Sequence, residues 1–324
     1  MARKIRLQYA DALYHVINRG NYRLDIFSTE ETKRAFELCL FEGCTKAEWK
    51  LHAFVIMSNH YHLAIETPQA NLVEGMQWLQ GTFANRFNRF RRENGHVFQG
   101  RYKAIVVEDY DGMSAVAHYI HLNPVRAKLT GVETLSDYRF SSYAYLDRKR
   151  PDFLELAHCL RAAGGLDDTR RGHQSYRAFL DWLAEDETMQ KELKFDSMCR
   201  GWVLGSRNFK RALITDYEKE LSSMDLGENE AKELRELSWE KLLVACQQQL
   251  ENWGLVSDLK RKSAPWKIAL AAFLKTFSTA SNPWIASRLG IGHPDALSRY
   301  VAEMRTGQRE NARALFNRIS ESRV

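Results

Sequence analysis

The sequence predicts an α+β fold: an antiparallel sheet with helices over roughly the first 150 residues, then an all-α remainder. Three observations carry this. Up to about residue 130, strand-like and helix-like runs follow one another as strand, helix, strand, strand, helix, strand, helix. After about residue 150 the β-forming runs fade. From Ser263 onward three short helical patterns close the chain. The βαββαβ order is the split arrangement that makes an antiparallel sheet with helices on one face.

Each element has its own signal. Leu13–Gly20 (LYHVINRG) is a short apolar run closed by Gly, read as a strand. Ser28 and Glu31 form an S-x-x-E capping pattern before a helix with Ala35, Leu38 and Phe41 at helical spacing. Trp49–Ser58 (WKLHAFVIMS) is rich in β-formers, and His60–Thr67 (HYHLAIET) follows after a polar Ser58–Asn59 pair, which reads as a tight hairpin. Pro68 stops the second strand. Leu72–Arg92 is helical, with Met76, Leu79, Phe83 and Phe87 along one side. Arg101–Asp109 (RYKAIVVED) is a further strand. Asp111–Asn123 is a helix expected to end near Asn123, because a proline disfavours helical geometry in the residue before it.

Beyond residue 150, LELAHCLRAAGG and QSYRAFLDWLAEDE read as helices, and the acidic stretch Asp216–Glu236 as a solvated helical connection. The last three helical runs contain a Gly290-Ile291-Gly292 turn, the pattern of a helix-turn-helix. The division expected is 1–150 for the sheet domain, 151–262 for a helical connecting region and 263–324 for the helix-turn-helix.

Composition sets outer bounds. The chain has 324 residues, 44% hydrophobic and 27% charged, enough for a sizeable core. Its formal charge of +6 permits a polyanionic partner without demanding one. Five scattered cysteines with no C-x-x-C pair suggest a reduced, cytoplasmic setting and no cysteine-built metal site. No apolar run is long enough for a signal segment or a membrane span.

Chemistry concentrates in two places. Side chains alternate along a strand, so His60 and His62 share one face and Tyr61 takes the other. Two neutral imidazoles side by side suit one divalent metal, although an H-x-H pair is also what an edge strand with two surface histidines looks like. On the later helix, Tyr119 and Asn123 are four residues apart and share a face. The Asn123 amide oxygen would complete a three-ligand site, and Tyr119 would lie one turn from the metal. A metal that draws off developing charge makes attack by a phenol feasible near neutral pH. The plainer alternative is that Tyr119 packs in the core and Asn123 merely ends the helix. Tyr102 and Tyr110 compete as nucleophiles but have no ligand-type residue one turn on. His118 and His121, on other faces of that helix, read as surface or packing residues.

Three blocks in order, MSNHYHLAIETP, GHVFQGRYKAIVVED and HYIHLNPVRAKL, resemble the single-tyrosine His-hydrophobe-His (HUH) transposases, in the branch of the REP-associated tyrosine transposases. The resemblance covers Tyr9–Tyr145. It implies a ferredoxin-like catalytic domain, Mg²⁺ or Mn²⁺ at His60 and His62 with Asn123 as third ligand, and a 5′-phosphotyrosine bond from Tyr119 to single-stranded DNA. INRGNYRLDIF (Ile17–Phe27), with Asn18 and Arg19, resembles the family's N-terminal block. Hairpins of repetitive extragenic palindromes are the substrate this branch implies.

For nucleic-acid contact, Asn85–Lys103 interleaves Arg86, Arg89, Arg91, Arg92, Arg101 and Lys103 with Phe87, Phe90, Phe98 and Tyr102, opposed only by Glu93. Cations hold phosphates and aromatic rings stack on unpaired bases. Arg126 and Lys128 would extend the patch. In the last unit Ser298 and Arg299 are candidate duplex contacts. Two other functions fit the pattern less fully: a non-catalytic DNA-binding regulator, and a replication-initiator or relaxase nickase. Oligomeric state is open between monomer and homodimer, and a nucleoid-associated location follows from the DNA reading.

Overall fold

The computed structural model describes residues 7–217 and 228–322. The N-terminal six residues and part of the acidic stretch Asp216–Glu236 lie outside them. The described residues form two compact units, one up to residue 210 and one made of 211–217 and 228–322.

The first unit is built on β1 (Ala12–Arg19), α1 (Glu30–Ala47), β2 (Lys50–Ile56), β3 (His60–Thr67), α2 (Leu72–Arg91), β4 (Lys103–Val107) and α3 (Tyr110–Arg126). Then come α4 (Ala157–Ala162), α5 (Arg170–Glu185), α6 (Glu187–Glu192) and a two-residue β5 (Val203–Leu204). Among the described residues the sheet order is β2-β3-β1-β4-β5. The pairs β1–β3, β2–β3 and β1–β4 are antiparallel. β5 joins β4 in parallel, so the sheet is mixed rather than wholly antiparallel. A two-residue strand shows no period in sequence, and it stays hidden there.

Helices cover both faces, not one. α1 and α2 pack on the face that carries Tyr61, whose ring stacks on Phe36 at 4.6 Å and whose hydroxyl accepts from Gln80 at 2.7 Å. α3 lies on the other face, against His62. The burial of β3 shows why: every residue from Tyr61 to Thr67 is buried, and a strand buried on both faces needs a layer on each.

Two helix boundaries shift. α1 starts one residue late, with Thr29 as N-cap in a reciprocal capping box with Thr32. Its buried stripe is Phe36, Cys39, Leu40, Gly43 and Cys44, while Leu38 is 52% exposed. α3 runs through Pro124 to Arg126. The missing proline N–H removes one bond, but the Ala127 N–H still donates to Asn123 O at 2.9 Å. Burial of Met113–Val116, Ile120, Leu122 and Pro124 holds the helix on the sheet past that gap. In α2, Met76, Leu79, Phe83 and Phe87 form the buried face. Gly75 allows close approach there, since a Cβ would stand 2.1 Å from the Trp49 ring.

The second unit holds α8 (Glu228–Asn252), α9 (Pro265–Phe277), α10 (Asn282–Leu289), α11 (Pro294–Arg305) and α12 (Glu310–Glu321); α7 (Arg207–Asp216) precedes them. Its core centres on the apolar α9, where Trp266, Ile268, Leu270, Phe273 and Leu274 are buried. Gly290 closes α10 in the left-handed region at φ 61°. No helix among the described residues is long and apolar enough to cross a membrane.

Candidate active site

β3 places His60 and His62 on the face covered by α3. Across the antiparallel ladder, Arg19 stands opposite His60, Ile17 opposite His62, and Lys103 opposite Ile17, so these side chains share that face. The His60 and His62 rings are 5.0 Å apart, centre to centre. Above them α3 brings Tyr119, whose ring is 5.7 Å from that of His62. Asn123, one turn on, lines the same cleft as His60 and Tyr119. The four groups singled out in the sequence therefore meet. They line an open cleft of about 720 Å³, together with Asn18, Arg19, Arg23, Arg101, Lys103 and Cys199.

A residue absent from the sequence reading organises this cluster. His15 on β1 is fully buried; its Nδ1 is 2.9 Å from the Met198 carbonyl and its Nε2 is 3.0 Å from His62 Nδ1. A carbonyl only accepts, so His15 Nδ1 carries the proton and Nε2 the lone pair. Burial lowers the His15 pKa to about 4, and the ring is neutral near pH 7. His62 Nδ1 must then donate, and the lone pair of His62 is left at Nε2. His60 follows the same pattern, with Nδ1 on Asn59 Oδ1 at 2.6 Å. Burial also lowers the pKa of His60, with the nearby Arg19 charge adding to it, and that of His62, where the charges at His15 and His60 add. Both rings are thus neutral donors with oriented lone pairs, which is what a divalent ion requires of imidazole.

Tyr119 is held differently. Its hydroxyl is 3.2 Å from Cys199 Sγ, Phe195 packs on its ring edge, and the Arg126 guanidinium lies 5.4 Å from the ring centre. Burial, with Cys199, raises its pKa, and Arg126 and Asn123 act against that rise. The other two tyrosines are otherwise engaged. Tyr110 donates to Glu66 Oε2 at 3.0 Å, and Tyr102 is 5% exposed, its ring withheld from any stacking base.

The remaining candidates divide. Asn18, Arg19, Arg101 and Lys103 border the cleft. Arg86 is paired with Glu42 on α1 at 2.9 Å, on the other side of the sheet. Arg89, Arg91 and Arg92 are exposed at the end of α2, with Arg91 on Glu93 at 3.2 Å. Arg126 donates to Gln190, and Lys128 is exposed. Ser298 accepts from Asn282 at 2.9 Å within the second unit, and exposed Arg299 lies 3.7 Å from Glu303. His118 and His121 are packing groups. Both Nδ1 atoms meet the buried Tyr176 hydroxyl, at 2.9 and 2.8 Å, and His121 Nε2 meets Ser142 Oγ at 2.8 Å.

His15 had a readable signal: it has the same strand parity as Ile17 and Arg19. Cys199 and the Met198 carbonyl had none, because a segment 80 residues after Tyr119 delivers them.

Two solved structures resemble the chain at low identity. One is a REP-associated tyrosine transposase bound to a REP hairpin, 14% identical, covering 48% of this chain and 94% of that one, with a TM-score of 0.39. The other is assigned as a transposase from Deinococcus radiodurans R1, 19% identical, covering 40% of this chain and 91% of that one, with a TM-score of 0.27. No curated protein sequence matches the chain. The family model described as IS200-like transposase matches residues 8–123, the segment from just before β1 to Asn123 that contains His60, His62 and Tyr119. Over that segment, about a third of its length, the chain is similar to the IS200-like transposases.

Proposed function

We propose that the chain is a metal-dependent single-strand DNA endonuclease and strand transferase that works through a 5′-phosphotyrosine. The observation that carries this reading is the convergence of His60, His62, Asn123 and Tyr119 in one cleft whose lining includes Arg19, Arg23, Arg101 and Lys103 and no carboxylate.

The donor set fits a hard or borderline divalent ion such as Mg²⁺ or Mn²⁺: His60 and His62 through Nε2 and Asn123 through its amide oxygen. Bound there, the ion supplies a Lewis acid for a phosphate oxygen. The protein does the rest. Arg19, Arg101 and Lys103 hold the DNA phosphates. Tyr119 loses its phenolic proton to water in the cleft, and Arg126 over the ring favours the resulting anion. The phenolate oxygen forms a bond to phosphorus while the bond to the 3′-oxygen breaks. That oxygen takes up a proton and leaves as a 3′-hydroxyl, and the 5′-phosphate stays on Tyr119. Attack by a 3′-hydroxyl reverses the step and joins strands.

Hairpins of repetitive extragenic palindromes are the substrate suggested by the sequence resemblance. Tyr22, 84% exposed in the short turn that also supplies Arg23 to the cleft, is placed to stack on an unpaired base. The region from Ser263 onward would grip neighbouring duplex DNA through α10 and α11, with exposed Arg299 as a contact.

Incubating the protein with hairpin oligonucleotides and Mg²⁺ or Mn²⁺, followed by denaturing electrophoresis, should show a protein–DNA adduct. Tyr119→Phe should remove the adduct and keep binding. A Phe variant that still forms the adduct would overturn the assignment. Arg299→Ala should weaken duplex binding alone; unchanged duplex affinity would remove that role from α11.

A further inference from the structure

A second histidine cluster lies on the same face of the sheet, at the opposite end of β3. His60, His62, Ala64 and Glu66 alternate onto that face, and Glu66 accepts three bonds. They come from His52 Nε2 at 3.0 Å, Lys50 Nζ at 2.8 Å and the Tyr110 hydroxyl at 3.0 Å. With Lys50 and Tyr110 both donating to it, the carboxyl acts here as an acceptor. His52 meets it through Nε2, which leaves Nδ1 as the ring nitrogen that Glu66 does not engage.

That Nδ1 is buried and has no hydrogen-bond partner. His52 itself is 2% exposed. It is also the extra residue of a β-bulge: Leu51 pairs with Ile65 and Ala53 with Ala64, so His52 has no partner of its own on β3. Bulges re-aim a side chain, and this one turns the imidazole towards two residues that arrive more than 100 positions later. Glu155 and His158 each offer a donor atom, and the three donor atoms lie within 4.8 Å of one another. The chain that brings them is tied to the sheet edge: the Leu51 N–H donates to Phe153 O at 2.7 Å and the Glu155 N–H to Leu51 O at 2.9 Å. The His158 ring stacks on Tyr110 at 4.0 Å.

We propose that His52, Glu155 and His158 bind a zinc ion, separate from the candidate active site, which clips residues 153–158 to the edge strand β2. Two imidazoles and one carboxylate are a borderline donor set that suits Zn²⁺ better than Mg²⁺. The Glu66–His52 pair is the carboxylate–imidazole arrangement that fixes the tautomer of a metal-bound histidine and raises its basicity. Ligand atoms around a tetrahedral zinc stand ~3.3 Å apart, from bonds of about 2.0–2.1 Å. Closing from 4.8 Å falls to Glu155 and His158, which are half-exposed on a loop and on the first turn of α4. Arg161 Nη2, 3.3 Å from His158 Nδ1, is exposed and can swing away. The fourth position opens on a cleft of about 390 Å³. The site lacks a free nucleophile, because the neighbouring phenol of Tyr110 is committed to Glu66.

The test is zinc stoichiometry in the metal-stripped full-length protein, by titration against a chromophoric chelator. A His60→Ala/His62→Ala variant should keep one equivalent. Adding Glu155→Gln or His158→Gln to it should weaken that binding at least tenfold, and zinc should no longer raise Tm. In the parent, Glu155→Gln alone should still form the DNA adduct with Mg²⁺. Comparable circular dichroism in EDTA checks that each variant folds. Cobalt substitution gives a second readout, a visible band in the His60→Ala/His62→Ala protein that is lost when Glu155→Gln is added. The proposal fails if the His60→Ala/His62→Ala protein takes up no zinc, or if both glutamine variants bind it like their parent.

Discussion

The two histidine clusters on one face of β3 use the same residue types to opposite ends. Around His60 and His62 the orienting partners are neutral: a buried imidazole, a backbone carbonyl and an amide. The surrounding cleft is cationic, and Tyr119 stands over it. Around His52 the orienting partner is an ionised carboxylate, and the phenol there, Tyr110, spends its proton on that same carboxylate. A cationic lining draws a polyanion to the metal. A site that only has to hold a cation gains from negative charge instead. What separates the two is the second layer, not the histidines.

The largest effect expected from breaking this comparison is at the phenols. Tyr119→Phe should take the covalent adduct below detection, whereas Tyr110→Phe, on the same helix, should leave adduct yield near that of the parent. Equal loss in both would mean that the two sites are not distinct in role.

Acid should come next, through the third histidine pair on α3. Burial holds His118 and His121 at about 3 in the folded chain, with the His118 charge also acting on His121. Burial holds His15 at about 4. Their unfolded value is about 6.5, so the unfolded chain binds more protons below that pH. Stability should be complete above pH 6.5 and fall steadily as the pH drops towards 3. Denaturant midpoints followed by circular dichroism would show it, and a flat profile between pH 6.5 and 4 would contradict it.

Removing the relay behind His60 and His62 should cost less than removing the proposed nucleophile. His15→Ala should weaken Mn²⁺ binding by about 10–100-fold, the usual cost of losing a residue that orients a metal ligand. Excess metal should restore part of the adduct, which distinguishes positioning from catalysis. Glu66→Gln should leave that affinity unchanged and weaken only the zinc site. Smallest is the cationic rim. Arg19→Ala should weaken single-strand binding a few-fold and flatten its salt dependence by roughly 0.7 in log–log slope, the value for one phosphate contact.

The legibility of the fold followed the length of its signals. The β2–β3 hairpin, the apolar side of α2 and the shared faces of His60 with His62 and of Tyr119 with Asn123 were readable, because local periodicity alone decides which residues point together. The family resemblance added that the two faces meet. Leu38 was misplaced because α1 is apolar on more than one side, and only packing against α2 and the sheet chooses the buried stripe. α3 passed Pro124 because burial along the whole helix outweighs one lost bond.

By itself, the sequence determined the order of the elements from β1 to α3, the residue types that carry the candidate site and the periodicities that group them. Only the tertiary structure decided that α3 lies opposite α1 and α2, that His15 and Met198 set the tautomer of His62, and that a bulge points His52 at Glu155 and His158. The reason is physical: periodicity is a property of neighbours along the chain. A hydrogen bond such as that between His15 and Met198, 183 residues apart, exists only once the intervening chain has packed.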